Sequence, residues 1–209
     1  MERLKSPLEL LEPDPRSSAF VKMDATYSEA VPMTVEDFHQ WTKYVNVSDH
    51  VPEDVRSYVE TIKNLFVFSW YHYPFCTLAA FLATTAVEMA LRRRYPKPEP
   101  DHRSFSKLLK RAQDDGLLSD ERFATLSQRR PEMAAPVDGQ VAETVQPPFA
   151  EIVSYSLPRI RNNFAHPGGH WIMPPGPALD MLILSVEVIN ALWDHSATAR
   201  PSPDSTTRW

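Results

Sequence analysis

The chain has 209 residues, 43% of them hydrophobic and 23% charged, with a formal net charge of −5 at pH 7. That length is enough for one domain with a real core, and the composition is that of an ordinary globular protein. The acidic balance excludes a protein that coats nucleic acid indiscriminately, because phosphate affinity comes from Lys and Arg; a small basic cleft is still allowed. The single cysteine, Cys76, lies in an apolar run. A disulfide within the chain is therefore excluded, and a reducing, cytoplasmic setting is expected. No basic and apolar leader opens the sequence, so no secretion signal is expected.

The 20 prolines, set against 5 glycines, fall between apolar segments, where they punctuate helices. Residues 1–33 hold no sustained period and read as an extended or flexible N-terminal arm. Thr34-Val-Glu-Asp37 has the makings of a helix cap and is followed by Phe38, Trp41 and Val45 on one side. Pro52-Glu-Asp suits a first turn, and Val55, Val59, Ile62 and Phe66 recur at helical spacing toward Tyr73. Pro74 disfavours helical geometry in the residue before it, so this helix is expected to stop there.

A long helix follows over 75–95. Leu78, Leu82, Thr85 and Met89 form one stripe, and Ala79, Ala80, Ala83, Ala86 and Ala90 permit close helix approach. Glu88 interrupts the apolar run. It is placed to pair with Arg92 at i+4, or to orient an arginine or histidine of a functional site. The span 65–91 has the length of a membrane helix, with Arg92-Arg93-Arg94 as a positive flank. His72, Pro74 and Glu88 argue instead for two buried helices and no membrane.

Beyond a proline-rich turn at 96–101, Ser104 opens a helix with Phe105, Leu108, Leu109 and Ala112 inward and Gly116 as its stop. Ser119-Asp-Glu-Arg is expected to start a short helix reaching about Arg129. Residues 130–148 then lose all periodicity and read as a flexible loop. Phe149, Ile152, Val153 and Leu157 begin another helix, with Pro158 inside it. A final helix carries Leu179, Leu182, Ile183, Val186, Ile189 and Leu192, and residues 196–209 read as a disordered tail. No strand alternation and no internal repeat stand out. The fold class expected is all-α, an up-and-down bundle of five to six helices over 34–195.

The chemistry concentrates in Arg161-Asn-Asn-Phe-Ala-His166, followed by Pro167-Gly-Gly. A guanidinium that is always charged and an imidazole that titrates near neutrality suit work on phosphate. In a regular helix Arg161 and His166 would lie roughly 140° apart. Pro167 pushes His166 out of the helical basin, so the imidazole can swing beside the arginine at a helix end whose dipole favours its protonated form.

This Arg-x4-His pattern, placed before a closing apolar helix in an all-α chain, resembles the signature of the HEPN superfamily, helical domains of prokaryotic toxins, defence systems and RNA-processing enzymes. The resemblance spans roughly residues 50–195. It implies a HEPN-like homodimer with two motifs facing across a cleft, metal-independent RNA cleavage, and a toxin or phage-defence role with a possible inhibitor or antitoxin protein as partner. Arg161 and His166 would be catalytic: His166 would exchange protons with the ribose 2′-OH or the leaving 5′-oxygen, and Arg161 would hold the scissile phosphate. Asn162 and Glu88 would support them. Some members carry a tyrosine two residues after the histidine, where this chain has Gly168. Others have lost activity and serve as dimerisation, nucleotide-sensing or adaptor modules, the competing reading here.

No cofactor is expected. The sequence lacks a His-Glu-x-x-His or Cys-x-x-Cys spacing, a glycine-rich phosphate loop and a Gly-x-Ser-x-Gly elbow. The aromatic run from Phe66 to Phe75 reads as core and dimer packing rather than a base-stacking platform.

Overall fold

The computed structural model describes residues 4–23, 26, 28–97, 104–120, 123, 148–165 and 172–194. Six helices account for most of them: α1 (Val35–Thr42), α2 (Glu53–Phe68), α3 (Pro74–Arg94), α4 (Phe105–Asp114), α5 (Phe149–Ala165) and α6 (Pro175–Trp193). The expected helix after Ser119, the loop at 130–148 and the tail at 196–209 fall almost wholly outside the described residues.

The core is built on α3. Its alanine face, with Ala79, Ala80, Ala83, Ala86 and Ala90, is buried, and its most extensive contact is with α6. Small side chains let the two backbones approach, so Leu182, Ile189 and Leu192 of α6 fill the space with dense dispersion contacts. The larger residues of α3 look elsewhere: Leu78 is 42% exposed, and Leu82, Thr85 and Met89 are half-buried. Both α3 and α6 are long and apolar enough to cross a membrane by length and composition, and about half of each apolar window is buried inside the bundle.

The expected single helix from Pro52 toward Tyr73 ends five residues early, at Phe68. Ser69 turns its hydroxyl back onto the Phe66 carbonyl, and the N–H groups of Ser69, Trp70 and Tyr71 reach carbonyls three residues back. This tightens the chain into a corner. Pro74 then serves as the first residue of α3, where its missing N–H costs no helical bond. The apolar span at 65–91 is thus two helices and a corner. Of its aromatics, Phe66, Trp70 and Tyr73 are buried, whereas Phe68 is 51% exposed.

At α1, the Thr34 N–H donates to the Asp37 carboxylate at 2.9 Å, the acidic half of a capping box. Phe38 stacks on Phe66 at 5.5 Å between centroids, which pins α1 to α2. Val45 is buried as expected but lies past the helix end. At the end of α4, Gly116 has φ +72°, the Gly116 N–H donates to Gln113 and the Leu117 N–H to Ala112, both at 2.9 Å. These two bonds define a Schellman stop.

No strand was expected, yet β1 (Val21–Met23) pairs antiparallel with β2 (Ala30–Pro32), Lys22 opposite Val31. The strands have three residues each, too short for alternation to register as a pattern. The rest of the arm is docked on the α2–α3 corner. Asp14 is 3% exposed and accepts from Arg16 Nε at 2.8 Å, Arg16 Nη2 at 2.8 Å, the Arg16 N–H at 3.0 Å and the Tyr73 N–H at 3.0 Å. The Trp70 carbonyl in turn accepts from the Asp14 N–H and the Ser17 hydroxyl. Burial pushes the Asp14 carboxyl up, but the hydrogen bonds from Arg16 and Tyr73 outweigh it and hold it well below the usual carboxylate range.

Candidate functional site

The first half of α3 and the last turn of α5 meet at a contact between Phe81 and Phe164, edge to face with centroids 5.9 Å apart. That contact sets α5 beside α3 and brings Arg161 to Glu88. Pro158 lies inside α5, which runs as one helix from Phe149 to Ala165. The inward side of α5 is Ala150, Val153 and Leu157, all buried.

Glu88 is shared between two guanidiniums. Its Oε1 accepts from Arg92 Nη2 at 2.7 Å and Nε at 3.3 Å, the i,i+4 pair legible in the sequence. Its Oε2 stands 3.4 Å from Arg161 Nη2. A charge-assisted bond normally closes to about 2.7–2.9 Å, so Glu88 is bound to Arg92 and only neighbours Arg161. Among the described residues Arg161 is correspondingly undersupplied: Nη1 reaches Asn162 Oδ1 at 3.4 Å, and Nε is buried with no hydrogen-bond partner there. A guanidinium has five N–H donors in a fixed fork, and among the described residues none of them makes a short bond to a carboxylate. The Glu88 side chain is 15% exposed and that of Arg161 36%, so solvent reaches the arginine more easily than the acid beside it.

Next to this cluster an open groove of ≈ 450 Å³ is lined by Thr85, Glu88, Met89, Arg92 and Arg93. Arg93 is held by Asp54 of α2, Nε to Oδ2 at 2.7 Å. Glu88 thus faces two guanidiniums, Arg92 and Arg161, while Arg93 faces Asp54.

Three of the four residues expected to form the site are therefore together: Arg161, Asn162 and Glu88. His166 lies outside the described residues, as does Gly168. Sequence reasoning missed the Arg93–Asp54 link, because Asp54 in the first turn of α2 is equally explained by the helix dipole. It also missed a pair on α5, Tyr155 and Arg159, whose i,i+4 spacing is visible once the helix is drawn. Among the described residues no group of three or more His, Cys, Asp or Glu could hold a metal ion. Comparison with protein-family models, with curated proteins and with solved structures found no match for this chain.

Proposed function

We propose that this chain is a metal-independent endoribonuclease of HEPN type, acting as a cytoplasmic homodimer in a toxin or phage-defence role. The observation that carries the reading is the under-coordinated Arg161, held beside Glu88 and Asn162 at the α3–α5 contact. Arg161 would clamp the scissile phosphate, exchanging loose 3.4 Å contacts for a bidentate grip and stabilising charge that develops on the phosphoryl oxygens. Asn162 would steady the guanidinium, and Glu88 would hold it on the α3 side until substrate arrives. His166 would take the proton of the 2′-OH or give one to the leaving 5′-oxygen, which restricts the substrate to RNA. An inhibitor protein is the partner such an activity would need in its own cell.

The same Glu88 contact favours a second reading, in which Arg161 is a structural tie and the chain is a non-catalytic dimerisation, nucleotide-sensing or adaptor module. Incubation of the purified protein with structured and single-stranded RNA in EDTA separates the two. Cleavage lost in both Arg161→Ala and His166→Ala supports the enzyme. Absence of cleavage by the parent protein, or equal cleavage by the variants, removes it.

A further inference from the structure

The exposed side of α5 carries a feature that catalysis at Arg161 does not use. Tyr155 is 65% exposed, which leaves much of its aromatic ring in solvent. The Arg159 guanidinium carbon lies 4.9 Å from the centre of that ring, and Arg159 Nη1 also donates to the Tyr155 hydroxyl. Among the described residues no carboxylate pairs with Arg159, in contrast to Arg92, Arg93 and Arg161, each of which faces an acid. Tyr155, Arg159 and Asn162 follow i, i+4, i+7 spacing and share one face of the helix. Asn162 is also the residue that accepts from Arg161, so this outer face is joined to the site at its C-terminal end.

We propose that Tyr155 and Arg159 form a nucleotide-binding subsite for single-stranded RNA, near the scissile position. The proposal rests on the endoribonuclease reading for the identity of the strand. An exposed ring with an adjacent planar cation offers a stacking surface for a base, and a guanidinium without a carboxylate is charge-complementary to a phosphate. From Tyr155 to Arg161 the helix rises about 9 Å, the length of two to three stacked nucleotides. The base on Tyr155 therefore belongs to a nucleotide two to three positions along the strand from the cleaved bond, and Tyr155 sets how strongly the strand is held there. Double-stranded RNA does not fit this role, because its bases are not free to stack on a side chain.

The test is fluorescence anisotropy with a labelled, single-stranded 2′-O-methyl RNA, which lacks the attacking hydroxyl and stays intact whether or not the protein is a nuclease. Tyr155→Ala is expected to weaken binding by about 5-fold or more, and Tyr155→Phe to stay within about 2-fold because the ring is kept. Arg159→Ala is expected to weaken binding and to lower the salt dependence by about one phosphate contact. Unfolding midpoints should be unchanged, since both side chains are exposed. No binding by the parent protein, parent-like binding by Tyr155→Ala, or equal losses in Tyr155→Ala and Tyr155→Phe would each overturn the subsite. The nuclease reading fails separately: Tyr155-dependent binding without RNA cleavage in EDTA keeps the subsite and removes the catalysis, and cleavage with Tyr155-independent binding does the reverse.

Discussion

Asp14 and Glu88 both hold guanidiniums, under opposite conditions. Asp14 is 3% exposed, and its oxygens are filled by four donors at 2.8–3.0 Å, two from Arg16 side-chain nitrogens and two from backbone N–H groups. Glu88 is half-buried, closes one short bond to Arg92, and leaves Arg161 at 3.4 Å. A buried carboxylate with every lone pair satisfied is a fastener, because breaking it strands charge and a backbone donor away from water. Under the proposed function, a partly satisfied one at a groove would be poised for exchange, with a phosphate taking the acid's place at Arg161. The difference separates the part of the molecule that holds the arm from the part that can act.

The largest effect on stability is expected at the fastener. Asp14→Ala should lower the unfolding free energy by about 2–4 kcal/mol, read from urea unfolding at pH 7, since it orphans the Tyr73 N–H and frees the arm. The pH dependence has a definite sign. The Asp14 carboxyl titrates lower in the folded chain than in the unfolded one. Its contribution is therefore complete above the unfolded value, about 3.9, and is lost as pH falls through the folded value. The gap between parent and Asp14→Asn should thus be constant from pH 7 to 5 and shrink below pH 4; a gap that grows with acid would break the account.

Next comes the alanine face of α3. Ala83→Leu, at a fully buried position, should cost about 1–3 kcal/mol by overpacking against its neighbours, whereas Leu78→Ala, on the half-exposed side, should cost less than half as much. Equal losses at the two positions would mean that the leucine stripe, not the alanine face, is the core. The smallest effect belongs to the outer pair Arg93–Asp54, both partners more than a third exposed. Asp54→Asn should change the unfolding free energy by no more than about 1 kcal/mol, and salt should erase even that.

Much of this was legible in the sequence, for reasons that can be named. Amphipathic spacing fixed α2, α4 and α6, and Gly116 marked the stop of α4, because helical period and a left-handed turn are local demands that single residues reveal. The corner at 69–73 was displaced because Pro74 breaks a helix before it yet is equally welcome as the first residue of the next one; only the Ser69 and Asp14 contacts decide between them. The burial of Asp14 was illegible, since its partner, the Tyr73 N–H, is 59 residues away. At the site, Glu88 with Arg92 could be read from i,i+4 spacing. Glu88 with Arg161 was expected only as an alternative and through the resemblance, because no local spacing joins them and their approach depends on how Phe164 meets Phe81.

The measurement that bears most directly on the central claim pairs two readouts on Arg161→Ala: its rate of single-stranded RNA cleavage in EDTA and its unfolding free energy. The account predicts a rate lower by about 100-fold or more with stability within about 1 kcal/mol of the parent. An unchanged rate, or a stability loss as large as that of Asp14→Ala, would show Arg161 to be another fastener.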